Sequence, residues 1–92
     1  MRTKDCHLLV ENALGLHARA SAKIVNLANQ FDNRTEIFLS CDGVEVNAKS
    51  ILGLMMFAAA KGTTLKARAK GPQAAAALAA LQDLFQRKFD EE

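Results

Sequence analysis

Residues 50–62, SILGLMMFAAAKG, decide between two folds. The apolar run at 51–60 suits a buried strand as well as a helix, because periodicity alone does not separate the two. Leucine, methionine and alanine favour the helix, and Ser50 stands where an N-cap hydroxyl would accept from the first free amides. Lys61-Gly62 supplies a stop. The segment therefore predicts a helix, and it is only about half as long as a membrane span.

Strands flank that helix. TEIFLS (35–40) and VEVNA (44–48) surround Asp42-Gly43, a hairpin signal, and TLKARAK (64–70) alternates with period two. Further out, KDCHLLVE (4–11) predicts a short strand closed by the turn residues NALG. From Ala18 the spacing of Ala20, Ile24, Leu27 and Phe31 predicts an amphipathic helix that DNRT breaks. Beyond Gly71, Pro72 suits a first helical turn. QAAAALAALQDLFQRKF (73–89) then sets Ala74, Leu78, Leu81, Phe85 and Phe89 near one face, predicting a helix to its end and a frayed acidic tip, Asp90-Glu91-Glu92. The order β-α-β-β-α-β-α predicts an α+β domain over residues 1–92, with all helices on one side of a sheet.

Composition excludes several classes of function. With 92 residues, a net charge of +2 and neither tryptophan nor tyrosine, the chain offers little to nucleic acid. Lys66, Arg68 and Lys70 share one strand face and are expected to be a solvated face. Cys6 and Cys41 are expected as free thiols, and no metal site or cofactor is expected. MRTKDCHLLVEN has no apolar run long enough for a signal peptide, so a cytoplasmic protein with no membrane insertion is expected.

In GLHARAS (15–21), His17 stands at or just before the first turn of the predicted helix. Helix-start amides lack intrahelical partners, gather partial positive charge and favour an anion. A cation is disfavoured there, which leaves a neutral imidazole with a nucleophilic lone pair. Arg19 can reach the same spot and pair with phosphate oxygens. A neutral histidine attacking phosphorus beside these donors is one reading. A capping or surface histidine is the other, and spacing alone leaves both open. His7, inside a strand without a helix end or an arginine beside it, is read as structural.

GLHARAS resembles the active-site signature of the histidine-containing phosphocarrier (HPr) family of the phosphoenolpyruvate-dependent phosphotransferase system. AKSILGLMMFAAAKG (48–62) is similar to that family's second signature. The resemblance implies an open-faced sandwich, a four-stranded antiparallel sheet with three helices on one face. It implies phosphorylation of His17 on Nδ1, contact of Arg19 with the phosphoryl group, and regulatory phosphorylation of Ser50 by a serine kinase/phosphatase in some members. The implied partners are enzyme I as donor and a IIA protein or domain as acceptor, in bacterial sugar transport or in regulation. The carrier is then stoichiometric and not a catalyst. Ala20 departs from the family's usual proline. The C-terminal stretch resembles the nitrogen-related branch.

The predicted second helix has more apolar surface than one buried stripe can use. Leu54, Phe57 and Ala58, with Ile51 at the edge, form the expected core stripe. Leu52, Met55 and Met56 are left for partners, together with Ala18 beside His17, while Gly53 would admit a close approach. A monomer is expected. The alternatives are a docking module with the same fold that carries no phosphate, and a small hydrolase of acylphosphatase type.

Overall fold

Alternation along the strands decides which sheet face carries helices. In the computed structural model, which describes residues 3–91, the chain runs β1 (Thr3–Leu9), α1 (Ala18–Ala28), β2 (Glu36–Cys41), β3 (Val44–Asn47), α2 (Ile51–Met56), β4 (Thr64–Lys70) and α3 (Ala74–Gln86). The four strands pair antiparallel in the order β1-β4-β2-β3. Leu8, Ile37, Leu39, Leu65, Ala67 and Ala69 point to the covered face and are buried with the helices' apolar stripes. Each large aliphatic side chain removed from water there contributes about 1.5–3 kcal/mol.

The other face stays open and carries charge. Lys66 pairs with Asp5 at 3.8 Å, Arg68 with Glu45 at 2.8 Å and Lys70 with Glu36 at 3.6 Å. The Arg68 guanidinium also covers the Phe38 ring, 4.7 Å from its centroid. The basic stripe of TLKARAK is thus matched by carboxylates from the other three strands, as a solvated face should be. Asp42 and Gly43 both have positive φ, 51° and 83°, as a tight hairpin turn between β2 and β3 requires.

Several element boundaries differ from the sequence expectation: β1 ends at Leu9 and not at Glu11, α1 ends at Ala28, short of Phe31, and larger differences lie around α2 and α3. α2 ends at Met56, well before Lys61-Gly62, because Ala58 turns left-handed with φ 49°. That turn releases Ala59, whose carbonyl accepts from the Leu16 amide at 2.9 Å. Ala58 is consequently exposed, and Ala59 takes its place in the core. Pro72 lies in the turn before α3, not in its first helical turn.

The largest difference is at the end of α3. It stops at Gln86, and Lys88, Phe89 and Asp90 follow with φ of 55°, 57° and 59°. Phe89 is buried as expected, although by this left-handed turn and not by a helix face. Its ring lies 4.8 Å from that of Phe85. Arg87 braces the turn through Asp83 at 2.9 Å and Asp90 at 2.5 Å. Left-handed backbone costs about 1–2 kcal/mol per residue without glycine, and burial of Phe89 offsets part of it. Met1, Arg2 and Glu92 lie outside the described residues, so the first two residues of the N-terminal stretch and the last of the acidic tip are not placed.

Candidate functional site

Gly15 makes the turn into α1 possible. Its φ is 65°, and a Cβ there would meet the Ala59 carbonyl oxygen at 2.3 Å, so only glycine lets the two loops touch. Leu16 is buried in the core, and Ser21, also buried, donates its hydroxyl to the Leu16 carbonyl at 3.3 Å. These contacts fix the chain on both sides of His17.

His17 is the N-cap of α1, with extended backbone (φ −70°, ψ 178°). Its Nδ1 accepts from the Arg19 amide at 3.3 Å, in the place that a serine or aspartate oxygen takes in an ordinary cap. Ser21 is the first residue of the helix whose amide reaches back to a backbone carbonyl, that of His17 at 2.9 Å. The Ala18 and Arg19 amides therefore precede the helical ladder, and that of Arg19 lies at Nδ1 of the ring. Ala18 and Arg19 are exposed, and among the described residues the Arg19 guanidinium has no hydrogen bond or ion pair. Pairing with phosphoryl oxygens would break no existing contact.

Sequence reasoning missed two residues. Glu91, read as part of a frayed tip, is brought back to the ring by the left-handed turn, and its Oε2 is hydrogen-bonded to His17 Nε2. Its Oε1 accepts from Asn12 Nδ2 at 2.9 Å, and the same Nδ2 donates to the Gly15 carbonyl at 2.7 Å. Asn12 was legible only as turn chemistry in NALG. It is fully buried, and its Oδ1 has no partner among the described residues, which costs about 1–3 kcal/mol. The only signal for Glu91 was an apolar residue, Phe89, shortly before an acidic terminus. Burial raises the Glu91 carboxyl, but hydrogen bonds from Asn12 and His17, with the charges of His17 and Lys23, outweigh it and hold the group below its ordinary value.

Ser50 caps α2 as expected, its hydroxyl accepting from the Gly53 amide at 3.1 Å. Leu54 is buried and Phe57 half-buried, but Ile51, expected at the edge of the core stripe, is exposed. Leu52, Met55 and Met56 are 74%, 41% and 81% exposed, and Leu14 at 73% adds an apolar side chain from the loop before His17. Gly53 has a different use from the one expected. A Cβ there would meet the Val46 Cβ at 2.9 Å, so the glycine lets α2 lie close on β3 and does not face a partner.

The two thiols take no part in the hydrogen bonds around His17, although Cys41 lines a surface pocket with Met56 and Phe57. Both are free; burial and Asp5 push Cys6 above its ordinary value, and burial and Asp42 do the same to Cys41. Both are protonated at neutral pH, which makes them poor nucleophiles.

The family described as the PTS HPr component phosphorylation site matches residues 5–87. A phosphocarrier protein HPr of Xylella fastidiosa (strain 9a5c) is 47% identical over 85 residues, 92% of this chain and 93% of the relative. A phosphocarrier protein NPr of Escherichia coli (strain K12) is 42% identical over 84 residues, 90% of this chain and 91% of the relative. The crystal structure of HPr-C-His from Thermoanaerobacter tengcongensis superposes with a TM-score of 0.90 at 38% identity, covering 97% of this chain and 98% of that one.

Proposed function

The chain belongs to the HPr family, the phosphoryl carriers of the phosphotransferase system, and from that membership we propose that His17 is its acceptor and Nδ1 the attacking atom. The observation that carries this reading is the placing of Nδ1 at the N-cap, against the Arg19 amide.

The chemistry follows from that placing. The Nδ1 lone pair forms a bond to phosphorus. The bond from phosphorus to the donor breaks, and its electron pair stays with the donor. The phosphoryl oxygens then meet the Ala18 and Arg19 amides and the Arg19 guanidinium, each charged hydrogen bond contributing about 1.5–3 kcal/mol. Onward transfer reverses the step, returning the N–P electron pair to Nδ1. Enzyme I is the donor and a IIA protein or domain the recipient, in sugar uptake or in nitrogen-type regulation. In this reading the protein is a stoichiometric carrier and not an enzyme. It is a monomeric single domain and works in the cytoplasm, a placing compatible with the absence, among the described residues, of any helix long and apolar enough to cross a membrane.

Leu52, Met55 and Met56, with Ala18, form the partner surface of the proposal. Methionine side chains adapt to more than one partner, as a carrier between donor and recipient requires. Ser50 adjoins this patch. A phosphoryl group placed on it by a serine kinase would be tolerated at a helix start but would oppose apolar docking.

Intact mass spectrometry after incubation with enzyme I and phosphoenolpyruvate tests the reading. One added phosphoryl group, labile in acid, stable in base and absent from His17→Ala, is expected. Mass unchanged in the wild type, or still gained by His17→Ala, removes His17 from the role.

A further inference from the structure

We propose that Glu91 is a positioning residue for phosphoryl transfer: its carboxylate holds the proton on Nε2 of His17, so that Nδ1 is the bare, nucleophilic nitrogen and the phosphorylated ring keeps that proton. The proposal rests on the reading of His17 as the acceptor.

Two neighbours settle the ring's protonation pattern between them. The Arg19 amide can only donate, so the Nδ1 it reaches is unprotonated. A neutral ring with bare Nδ1 carries its proton on Nε2, where Glu91 Oε2 stands as acceptor. Fixing the tautomer through the far nitrogen is what a carboxylate does for a histidine base in hydrolytic triads. Here it would serve a histidine nucleophile.

Glu91 is held as a designed contact would be. Asn12 Nδ2 donates to both Glu91 Oε1 and the Gly15 carbonyl, two acceptors, which fixes the orientation of the amide. Asn12 keeps this arrangement while its own Oδ1 is buried without a partner among the described residues. Phe89 anchors the turn in the core, and Lys23 Nζ donates to the Phe89 carbonyl. The terminal segment adopts three consecutive left-handed residues to bring one carboxylate to one ring. Among the described residues, the charged groups around the ring are Arg19 and Lys23 on α1 and Glu91 itself, while the loop adds neutral Asn12 and α2 contributes no charge.

In the reaction the charge on the ring changes. As the N–P bond forms with Nε2–H retained, the imidazole becomes cationic opposite the Glu91 carboxylate. As the N–P bond breaks, its electron pair returns to Nδ1 and the ring is neutral again. A phosphorylated ring that has lost the Nε2 proton is a poorer leaving group, so holding that proton keeps the group transferable.

The test compares wild type, Glu91→Gln and His17→Ala, each incubated with enzyme I and phosphoenolpyruvate. Glutamine offers one acceptor where glutamate offers two, so it cannot serve both Asn12 and His17. We expect Glu91→Gln to gain one phosphoryl group about tenfold more slowly, the change expected when a charged acceptor becomes neutral. The pH at which its phosphorylated form begins to hydrolyse rapidly should fall by about one unit for the same reason. A tail that merely packs would alter thermal stability and leave that pH profile in place. Wild-type rate and profile in Glu91→Gln overturn the proposal. Absence of phosphorylation in the wild type overturns the acceptor reading instead, and the two failures are distinct.

Discussion

At His17 one ring answers to two elements: Nδ1 to the first turn of α1 and Nε2 to the far end of the chain. Arg19 is the simplest residue to test, because it is exposed and its guanidinium is uncommitted among the described residues. Arg19→Ala should slow phosphoryl transfer roughly 10- to 100-fold, the loss of one charge-assisted bond in the transition state. Its thermal melt should match the wild type; an unchanged transfer rate would take Arg19 out of the site. Ala20→Pro should change stability by less than about 1 kcal/mol and preserve transfer, since the helical ladder begins only at the Ser21 amide. His17 and Arg19 were legible as candidates because a histidine and an arginine at a helix start leave a local pattern, although that pattern alone left a plain capping histidine equally open. Glu91 was not, since a contact across 74 positions has no period and no spacing in the sequence.

At the scale of elements, the reading of SILGLMMFAAAKG as helix held, and with it the order of elements along the chain, the hairpin and the exposed Leu52, Met55 and Met56. Helix length did not hold. Alanines 58–60 are good helix formers, but the carbonyl of Ala59 is needed by Leu16, and a tertiary hydrogen bond overrides local propensity. That left-handed Ala58 is exposed and open to test. Ala58→Gly should stabilise the protein by about 0.5–1 kcal/mol in urea denaturation, glycine relieving the positive φ. Ser50→Ala should cost about 1 kcal/mol through loss of the α2 cap. Ser50→Asp should keep the cap and the melt, and its transfer rate reports whether charge beside the apolar patch blocks docking.

Across the whole molecule, charge is arranged differently on its two sides. The open face neutralises itself through exposed pairs, so 1 M salt should change stability by less than about 1 kcal/mol. Acid should act more strongly. Asp32 is held down to about 2, mainly by hydrogen bonds from Arg34, and Glu91 below its ordinary 4.5. Depressed carboxyl groups stabilise the fold above the unfolded value and lose that contribution as pH falls through the folded one. Stability should therefore decline from about pH 4.5 downward, and Glu91→Gln should flatten the upper part of that decline in melts at stepped pH.

Phosphorus–nitrogen coupling in the magnetic resonance spectrum of the protein, labelled with ¹⁵N-histidine and phosphorylated through enzyme I, reads the bonded atom directly. One phosphoramidate signal coupled to Nδ1 of His17 is the result this account requires. Coupling to Nε2, to His7, or a phosphoester signal with no nitrogen coupling would contradict it.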